Sequence, residues 1–252
     1  MIFKFVQIIG FISLVLSCKH SQKSGTAKAE NISVSKKIEP LKEIEETIKP
    51  YKLELDNSMN QVLSFSIDSY SKKEGDYNTA IGNMMADAVF ERANPVFKSR
   101  TGHDIDMVLL NHGGIRSVLP KGNVTTKTAY KLMPFENSVV VTALKGSVIL
   151  ELTEYLKKAK KAHPIAGLEL VLNSDDSFYK ILINGEKIDV SKTYFIATSD
   201  YLYKGGDRMD FFKKSDSLHN LNYKIRNVLI DYFLKKDTLR PSRDQRFIKL
   251  KN

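Results

Sequence analysis

The amino-acid sequence predicts a mixed α/β domain of the α+β type over residues 49–252, with mixed sheets flanked by helices. Apolar runs with the period of a strand interleave along the chain with runs that have the period of a helix. The interleaving has no regular strand-helix-strand repeat, which argues against a Rossmann fold or a barrel. With 42% hydrophobic and 27% charged residues, the composition is that of an ordinary globular protein.

The first half of this domain begins with "YKLELDNSMNQVLSFSIDSYS", where alternation in "KLEL" and "VLSFSI" predicts strand, turn and strand. A helix is expected over "TAIGNMMADAVFERANP", capped by Asn78 or Thr79 and limited at its far end by Pro95. "DIDMVLL" then predicts a buried strand, and "TTKTAYKLM" predicts a short helix.

In the second half, "SVVVTALKG" predicts a strand and "GSVILELTEYLKKAKKA" a helix with an apolar stripe. "YKILINGEKIDVSKTYFIATSDYLY" predicts a β-hairpin that turns at Asn184 and Gly185, followed by a further strand. The amphipathic run "LNYKIRNVLIDYFLKK" predicts the last long helix.

The N-terminus has the pattern of a signal peptide over residues 1–17, because Lys4 precedes an apolar run too short to span a bilayer comfortably. Cys18 is the only cysteine of the chain and follows this run directly, so no internal disulfide is expected. Its position resembles that of the lipid-modified cysteine of bacterial lipoproteins. The resemblance implies an envelope protein, anchored to a membrane through its lipid and facing the periplasm or the cell exterior.

Residues 18–48 are polar and highly charged, which predicts a flexible tether between the anchor and the folded domain. "PLKEIEETIK" at the end of this segment favours a short helix.

The net charge of +10 is carried mostly by lysines scattered over the whole length. This favours anionic partners such as a nucleotide, another metabolite or a phospholipid surface. We find no zinc-ligand spacing, no RNA-binding aromatic motif and no basic recognition helix, so nucleic acid is not predicted as a partner.

Three loops carry the residues that suggest chemistry: "NHGGIR", "LMPFENSVV" and "SDYLYKGGDRMDF". Aromatic rings offer flat faces to a planar ligand, arginine binds phosphate or hydroxyl groups, and aspartate can accept hydrogen bonds from a sugar diol. Together these side chains suggest a nucleotide. Taken singly, Phe135 and Tyr201 also fit core positions, and Gly-Gly-Asp also fits an ordinary turn.

Taken in order, the motifs resemble the C-terminal domain of the 5′-nucleotidase family over roughly residues 50–250. "AIGNMMADAVFE" is similar to an early helix of that family, and "DIDMVLLNHGGIR" to its strand and glycine-rich loop. "LMPFENSVV", "YLYKGGDRM" and the closing "PSRDQRFIKL" are similar to later segments.

The resemblance implies a substrate-binding domain in which Phe135 and Tyr201, the latter commonly phenylalanine, sandwich the base. It places Asn111 at the nucleoside, Arg116 at the phosphate side and Asp207 at the ribose hydroxyls. The same substrate-binding loops contain two glycine pairs: Gly113 and Gly114, Gly205 and Gly206.

Two positions depart from the family pattern. His112 replaces a glycine and adds a bulky, titratable ring beside Arg116. The segment before "AIGN", where family members often have another arginine, offers only Lys72 or Lys73, which lack the bidentate geometry of a guanidinium. Phosphate binding is therefore predicted less firmly than base stacking.

In full-length family members, hydrolysis belongs to a separate metallophosphatase domain with two metal ions. The five histidines of this chain are isolated in sequence, so no metal site, no cofactor and no catalytic residue is expected on it. The chain alone is expected to bind and not to hydrolyse, with divalent metals on a separate metallophosphatase chain. A stand-alone nucleoside-binding or nucleotide-binding lipoprotein and a degenerate remnant are the alternatives. The sequence is compatible with a monophosphate, a sugar nucleotide or a cyclic nucleotide as the substrate.

Overall fold

A computed structural model describes residues 29–35 and 38–251 of the chain. The predicted signal peptide and Cys18 lie outside these residues. In the part that is described, no helix is both long and apolar enough to cross a membrane. The chain divides into two units at Ile48 and Lys49.

The described residues form six α-helices and a series of short 3-10 turns. The helices are α1 (Lys42–Asn60), α2 (Ala80–Thr101), α3 (Thr126–Leu132), α4 (Gly146–Ala159), α5 (Asp200–Tyr203) and α6 (Ile225–Leu234).

Strands interleave with these helices along the chain, as the sequence predicts. They are β1 (Val62–Ser66), β2 (Met107–Leu109), β3 (Gly122–Thr125), β4 (Ser138–Lys145), β5 (Ile165–Ala166), β6 (Leu168–Leu172), β7 (Phe178–Ile183), β8 (Glu186–Lys187), β9 (Thr193–Ser199), β10 (Ser217–Lys224), β11 (Thr238–Leu239) and β12 (Phe247–Lys249).

These strands form three mixed sheets. The central sheet has the order β10-β4-β9-β2-β5, and the smaller sheets have the orders β11-β1-β3 and β12-β6-β7-β8. The mixed α/β class predicted from the sequence is confirmed.

The central sheet is covered by apolar side chains on both faces. Val108 packs with helices α2 and α6 on one face, while Met107 and Leu109 pack with α4 on the other. This alternation follows the period of two that places neighbouring strand residues on opposite faces. Two buried layers therefore fix the sheet from which the three candidate loops emerge.

Helix α2 begins as predicted, because the Thr79 hydroxyl accepts a hydrogen bond from the Gly82 N–H. Its predicted end at Pro95 is wrong. The helix continues to Thr101, and Gly102 ends it in the left-handed conformation with φ 78°. A single proline did not stop a helix whose Ala93 and Phe97 are fully buried against the core.

Two further element predictions are corrected. "KLEL" is helical and lies inside α1, which starts within the segment predicted as a tether and is longer than the short helix expected there. The residues Ile44, Ile48, Tyr51 and Leu55 recur at helical spacing, and this longer period includes Leu55, one of the two leucines that made "KLEL" look alternating. The residues "LNYK" belong to β10, so the last helix starts only at Ile225.

Candidate functional site

The register of the central sheet brings the three candidate loops to one edge. Strands β4 and β9 are antiparallel with Val139 opposite Ser199, so the chain before β4 lies beside the chain after β9. Strand β2 runs parallel to β9 with Val108 opposite Ala197, so both end at that edge. The loop before β4 and the loops after β2 and β9 thus meet there, although they are far apart in sequence.

A cavity of about 300 Å³ lies between these loops, which we call the clamp cavity. Its size falls at the lower end of the roughly 300–1,000 Å³ of small-molecule pockets. It is lined by Asn111, Gly113, Arg116, Phe135, Asn137, Tyr201 and Asp207. The structure therefore brings together the five side chains that the sequence singled out. Asn137 joins them as a lining residue that sequence reasoning missed.

Phe135 and Tyr201, the aromatic pair, remain 40% and 43% exposed although both rings border the cavity. An exposed aromatic ring at a cavity wall keeps a face free for a planar ligand. The alternative that either residue belongs to the core is excluded by this exposure.

One carboxylate connects the two segments that carry the aromatic pair. Asp200 Oδ1 accepts hydrogen bonds from the Tyr201 N–H at 2.8 Å and from the Ser138 N–H at 3.3 Å. Ser138 begins the strand that follows Phe135, so the two ring-bearing segments are fixed to each other. Asp200 lies in the first turn of the short helix α5, which the sequence analysis did not predict, and nothing in the sequence indicates its link to Ser138.

The ring of Tyr201 packs against the backbone of Gly206. A Cβ atom at position 206 would lie 2.5 Å from both Cε1 and Cζ of the ring, closer than real Cβ contacts come. A side chain at position 206 would therefore displace the Tyr201 ring from this position. At Gly205 the requirement is conformational, since its φ is 91°.

Asp207 is held by several neighbours in an uncommon backbone conformation, with φ 52°. Its Oδ1 accepts a hydrogen bond from the Tyr201 hydroxyl at 3.0 Å, and its Oδ2 accepts one from Asn111 Nδ2 at 2.9 Å. The Tyr155 hydroxyl donates to its carbonyl oxygen at 2.9 Å. Each carboxylate oxygen can accept more than one hydrogen bond, so the group retains capacity for a ligand.

The glycine pair of the first loop allows Asn111 to reach Asp207. A Cβ at Gly114 would lie 2.9 Å from Asn111 Oδ1, and one at Gly113 would lie 3.3 Å from Asn111 Nδ2. Neither glycine has a positive φ, so the close approach of the Asn111 side chain explains the pair better than backbone freedom does.

Arg116 and Lys72 make one edge of the site positive. The Arg116 guanidinium carbon lies 5.7 Å from the centre of the Phe135 ring. Burial, together with the nearby charge of Arg116, lowers the pKa of Lys72, and its ammonium group donates to the His112 carbonyl oxygen at 3.4 Å. Of the two lysines named from the sequence, Lys72 is thus the one beside Arg116.

His112, the departure from the family loop, borders a different cavity from Arg116. Its Nδ1 lies 3.2 Å from the Ala162 carbonyl oxygen. Burial lowers its pKa, which favours the neutral ring near pH 7.

Arg226 supports the loop that carries Phe135, and sequence reasoning missed this buried residue. Its guanidinium donates to the Pro134 carbonyl oxygen and to the Glu136 carboxylate, and it lies 4.0 Å from the centre of the Tyr130 ring. The buried guanidinium of Arg226 therefore holds both neighbours of Phe135 in the sequence, Pro134 and Glu136.

Among the residues that the structure describes, no group of three or more histidine, cysteine, aspartate or glutamate side chains is placed to hold a metal ion. Asp104 and Asp106, two carboxylates that lie close together in sequence, have structural partners instead. Asp104 pairs with Lys98 at 2.9 Å, and Asp106 accepts a hydrogen bond from the Phe195 N–H at 2.7 Å.

An α/β domain with an exposed aromatic pair, a neighbouring carboxylate and a cationic edge defines a small-molecule-binding domain. The sequence model of the 5′-nucleotidase, C-terminal domain, matches residues 57–214. The chain belongs to this family, which confirms the resemblance read from its motifs.

The chain is similar to parts of longer proteins. It is 23% identical over 237 residues to a trifunctional nucleotide phosphoesterase protein, YfkN, of Bacillus subtilis, a match that covers 87% of this chain and 16% of that protein. It is 29% identical over 170 residues to a cell wall protein of Listeria monocytogenes, covering 62% of this chain and 21% of that protein. This chain thus spans about a fifth of the length of these relatives.

The fold is also found among solved structures. A 5′-nucleotidase precursor from Thermus thermophilus superposes with a TM-score of 0.69 at 20% identity, over 82% of this chain and 43% of that one. At this identity the likeness supports the fold, which is that of a 5′-nucleotidase C-terminal domain.

Proposed function

We propose that this chain is the nucleotide-binding, substrate-recognition part of a split 5′-nucleotidase-type phosphohydrolase that acts in nucleotide catabolism. The observation that carries the proposal is the convergence of Asn111, Arg116, Phe135, Tyr201 and Asp207 around one cavity. The resemblance of the motifs to the family also implies a substrate-binding role for each of these residues.

In the proposed complex the base lies between the rings of Phe135 and Tyr201. Stacking of a base on an aromatic side chain contributes about 1–3 kcal/mol and tolerates different bases. Asp207 accepts hydrogen bonds from the ribose hydroxyls with the lone pairs that Asn111 and Tyr201 leave free. The 5′-phosphate points toward Arg116, which lines the cavity 5.7 Å from the centre of the Phe135 ring, and toward Lys72, which donates to the His112 carbonyl oxygen.

The chemical step is assigned to a metallophosphatase on a separate chain, which would hold the divalent metals. Two metal ions activate water and neutralise the charge that develops on the phosphoryl group. The role of this chain is to hold the nucleotide so that its phosphate meets those metals, because fixing two reactants in position lowers the entropic part of the barrier. No cofactor is assigned to this chain.

We place the protein outside the cytoplasm, attached to a membrane through a lipid on Cys18. The signal-like sequence before Cys18 supports this location, and one relative is a cell wall protein. Replacing Cys18 with serine should move the protein from the membrane fraction to the soluble fraction and abolish labelling by a radioactive fatty acid. Unchanged labelling would exclude Cys18 as the anchor.

The binding proposal is tested by calorimetric titration of the purified protein with adenosine and with adenosine 5′-monophosphate. Phe135→Ala and Tyr201→Ala should each weaken both ligands by about 5-fold to 150-fold, the equivalent of one lost stacking face. Arg116→Gln should weaken only the monophosphate. Tyr179→Ala, which changes an aromatic residue that is 66% exposed and lines neither loop cavity, is the matched control.

The split-enzyme proposal is tested by mixing the protein with metallophosphatases from the same organism. Nucleotide hydrolysis should appear in one mixture, require divalent metal, and fall when Phe135→Ala protein is used. If no metallophosphatase associates with the protein or gains activity toward nucleotides, the split-enzyme proposal is wrong.

A stand-alone nucleotide-binding or nucleoside-binding lipoprotein is the second candidate function. The specific observation in its favour is that Asn111, Arg116, Phe135, Tyr201 and Asp207 meet around a cavity of about 300 Å³ within one domain. Tight binding that no partner improves would support this second function over the first.

A further inference from the structure

Helix α1 carries a row of exposed apolar side chains, which we call the heptad stripe. The stripe consists of Ile44, Ile48, Tyr51 and Leu55, whose side chains are 51–72% exposed. No residue of α1 is buried within the part of the chain that the structure describes. Single exposed apolar residues are ordinary on a protein surface, but a continuous apolar row along one helix is typical of an interaction surface.

The helix also needs a packing partner for its own stability. In proteins, most of the stability of a helix comes from packing of its apolar face. Pro50 lies inside α1 and provides no backbone N–H donor, which weakens the helix further. Packing of the heptad stripe against a second surface would supply the stabilisation that the helix lacks.

The spacing of the stripe is that of a coiled coil. Successive members are 4, 3 and 4 residues apart, so they occupy the a and d positions of two consecutive heptads. In a coiled coil, side chains at these positions fit between those of the same positions on a second helix. The stripe is therefore suited to packing against a helix with the same pattern.

A second copy of the same helix fills the stripe completely when the two helices run antiparallel. In that arrangement Ile44 lies beside the second copy's Leu55. Ile48 then lies beside the second copy's Tyr51, and the two-fold axis repeats both pairs. Sliding one helix by a heptad leaves half of each stripe without an apolar neighbour.

The charges that flank the stripe favour the same arrangement. Glu45 and Lys52 occupy equivalent flanking positions one heptad apart, and within the described residues neither forms an ion pair. In the antiparallel pair, each Glu45 faces the second copy's Lys52. A slide by one heptad places Glu45 beside Glu45 or Lys52 beside Lys52, and a parallel pair places Lys52 beside Thr47.

The net charge of α1 disfavours an anionic membrane surface as the occupant. The helix contains three lysines and five acidic residues, a net charge of 3 − 5 = −2. Amphipathic helices that lie on membranes are rich in lysine and arginine on their polar face. A second copy of this chain, in contrast, offers both the apolar stripe and the complementary charges.

We propose that two copies of this chain associate through their α1 helices as a short antiparallel coiled coil, in which each Glu45 pairs with Lys52 of the other copy. The inference does not depend on the proposed nucleotide-binding function, because it rests on residues outside the clamp cavity.

The first test is sedimentation velocity of the full chain over a range of concentrations, which gives the dissociation constant of the dimer. Leu55→Glu should weaken the dimer by at least about a hundredfold, because every dimer loses two buried leucines. Leu53→Glu is the matched control. Both leucines are 55% exposed on the same helix, but Leu53 lies on the face opposite the stripe, so its replacement should leave the dissociation constant unchanged.

A charge exchange tests the orientation of the helices. Glu45→Lys and Lys52→Glu should each weaken their own homodimer about tenfold, because two attractive pairs become repulsive. An equal mixture of the two variants should form a heterodimer at least as tight as the natural dimer, since each lysine then faces a glutamate. A parallel pair would not recover in this mixture.

The remaining outcomes each overturn the proposal. A natural chain that stays monomeric up to its solubility limit would do so, as would association that Leu55→Glu leaves unchanged. Equal losses in Leu53→Glu and Leu55→Glu would show that the stripe is not the interface. If the chain is monomeric and instead binds phosphatidylglycerol vesicles in a way that Leu55→Glu abolishes, the stripe binds a membrane and not a second copy.

Discussion

Replacing Gly206 with alanine tests whether the ring of Tyr201 binds the base. The added Cβ would lie 2.5 Å from two ring atoms, against the 3.4–4 Å of ordinary contact, so the ring must retreat by about 1 Å. That movement breaks the hydrogen bonds of the Tyr201 hydroxyl with Asp207, at 3.0 Å and 3.3 Å. The displaced ring loses base stacking worth about 1–3 kcal/mol, a weakening of about 5-fold to 150-fold.

The assay is calorimetric titration with adenosine of four proteins that form a double-mutant cycle: the natural chain, Gly206→Ala, Tyr201→Ala and the double variant. Once the ring is absent, the alanine at 206 has nothing to displace, so Gly206→Ala should add no further loss in the Tyr201→Ala background. The thermal midpoint reports whether the fold is intact. If the losses from the two substitutions simply add, or if Gly206→Ala binds adenosine normally, the packing argument is refuted.

Three other predictions follow from the contacts of single side chains. Asp207→Asn should weaken adenosine about tenfold and leave 2′,3′-dideoxyadenosine unchanged in the same titration, because only adenosine has the 2′ and 3′ hydroxyls that would donate to the carboxylate. Equal losses would contradict the ribose role. Arg226→Met should lower the free energy of unfolding, measured in urea, by about 1–3 kcal/mol, and it should weaken adenosine binding. The substitution removes the hydrogen bonds that hold the residues on both sides of Phe135. An unchanged urea midpoint would contradict this prediction. Burial lowers the pKa of His163 from 6.5 to about 4, so protons bind the unfolded chain preferentially between these values. Between pH 7 and pH 4, the free energy of unfolding of the natural chain should therefore fall by about 3 kcal/mol more than that of the His163→Gln variant. If the two proteins lose stability in parallel over this pH range, His163 is not the cause.

The sequence predicts the segments of the site well because their signals are local. The apolar runs that became β2, β4 and β9 have the length and composition of buried strands, and polar or glycine-rich residues mark where each one ends. The convergence of the loops is not local. It depends on the strand order β4-β9-β2 and on the register of Val139 with Ser199, which no period in the sequence reveals. The family resemblance supplied this information, and the roles it gives to individual residues stay predictions.

The errors arose where packing outweighs a local rule. Pro95 is a strong helix breaker in isolation, yet α2 continues past it because Phe97 is buried in the core. Supporting residues such as Arg226 and His163 were missed for a related reason. Their partners lie about 90 and 50 residues away in sequence, so nothing near them indicates what they contact.

The position of the aromatic pair follows from the sheet and not from the loops. Phe135 and Tyr201 belong to segments next to paired strands, and Asp200 accepts a hydrogen bond from each side of that pair. Arg226 holds the residues on both sides of Phe135, while Gly206 and Asp207 hold the ring of Tyr201. A site whose rings are already fixed loses little conformational entropy when a flat ligand enters. On the proposed function, we therefore expect a planar group to bind without rearrangement of the two rings, and we expect Arg116 and Asp207 to discriminate among nucleotides.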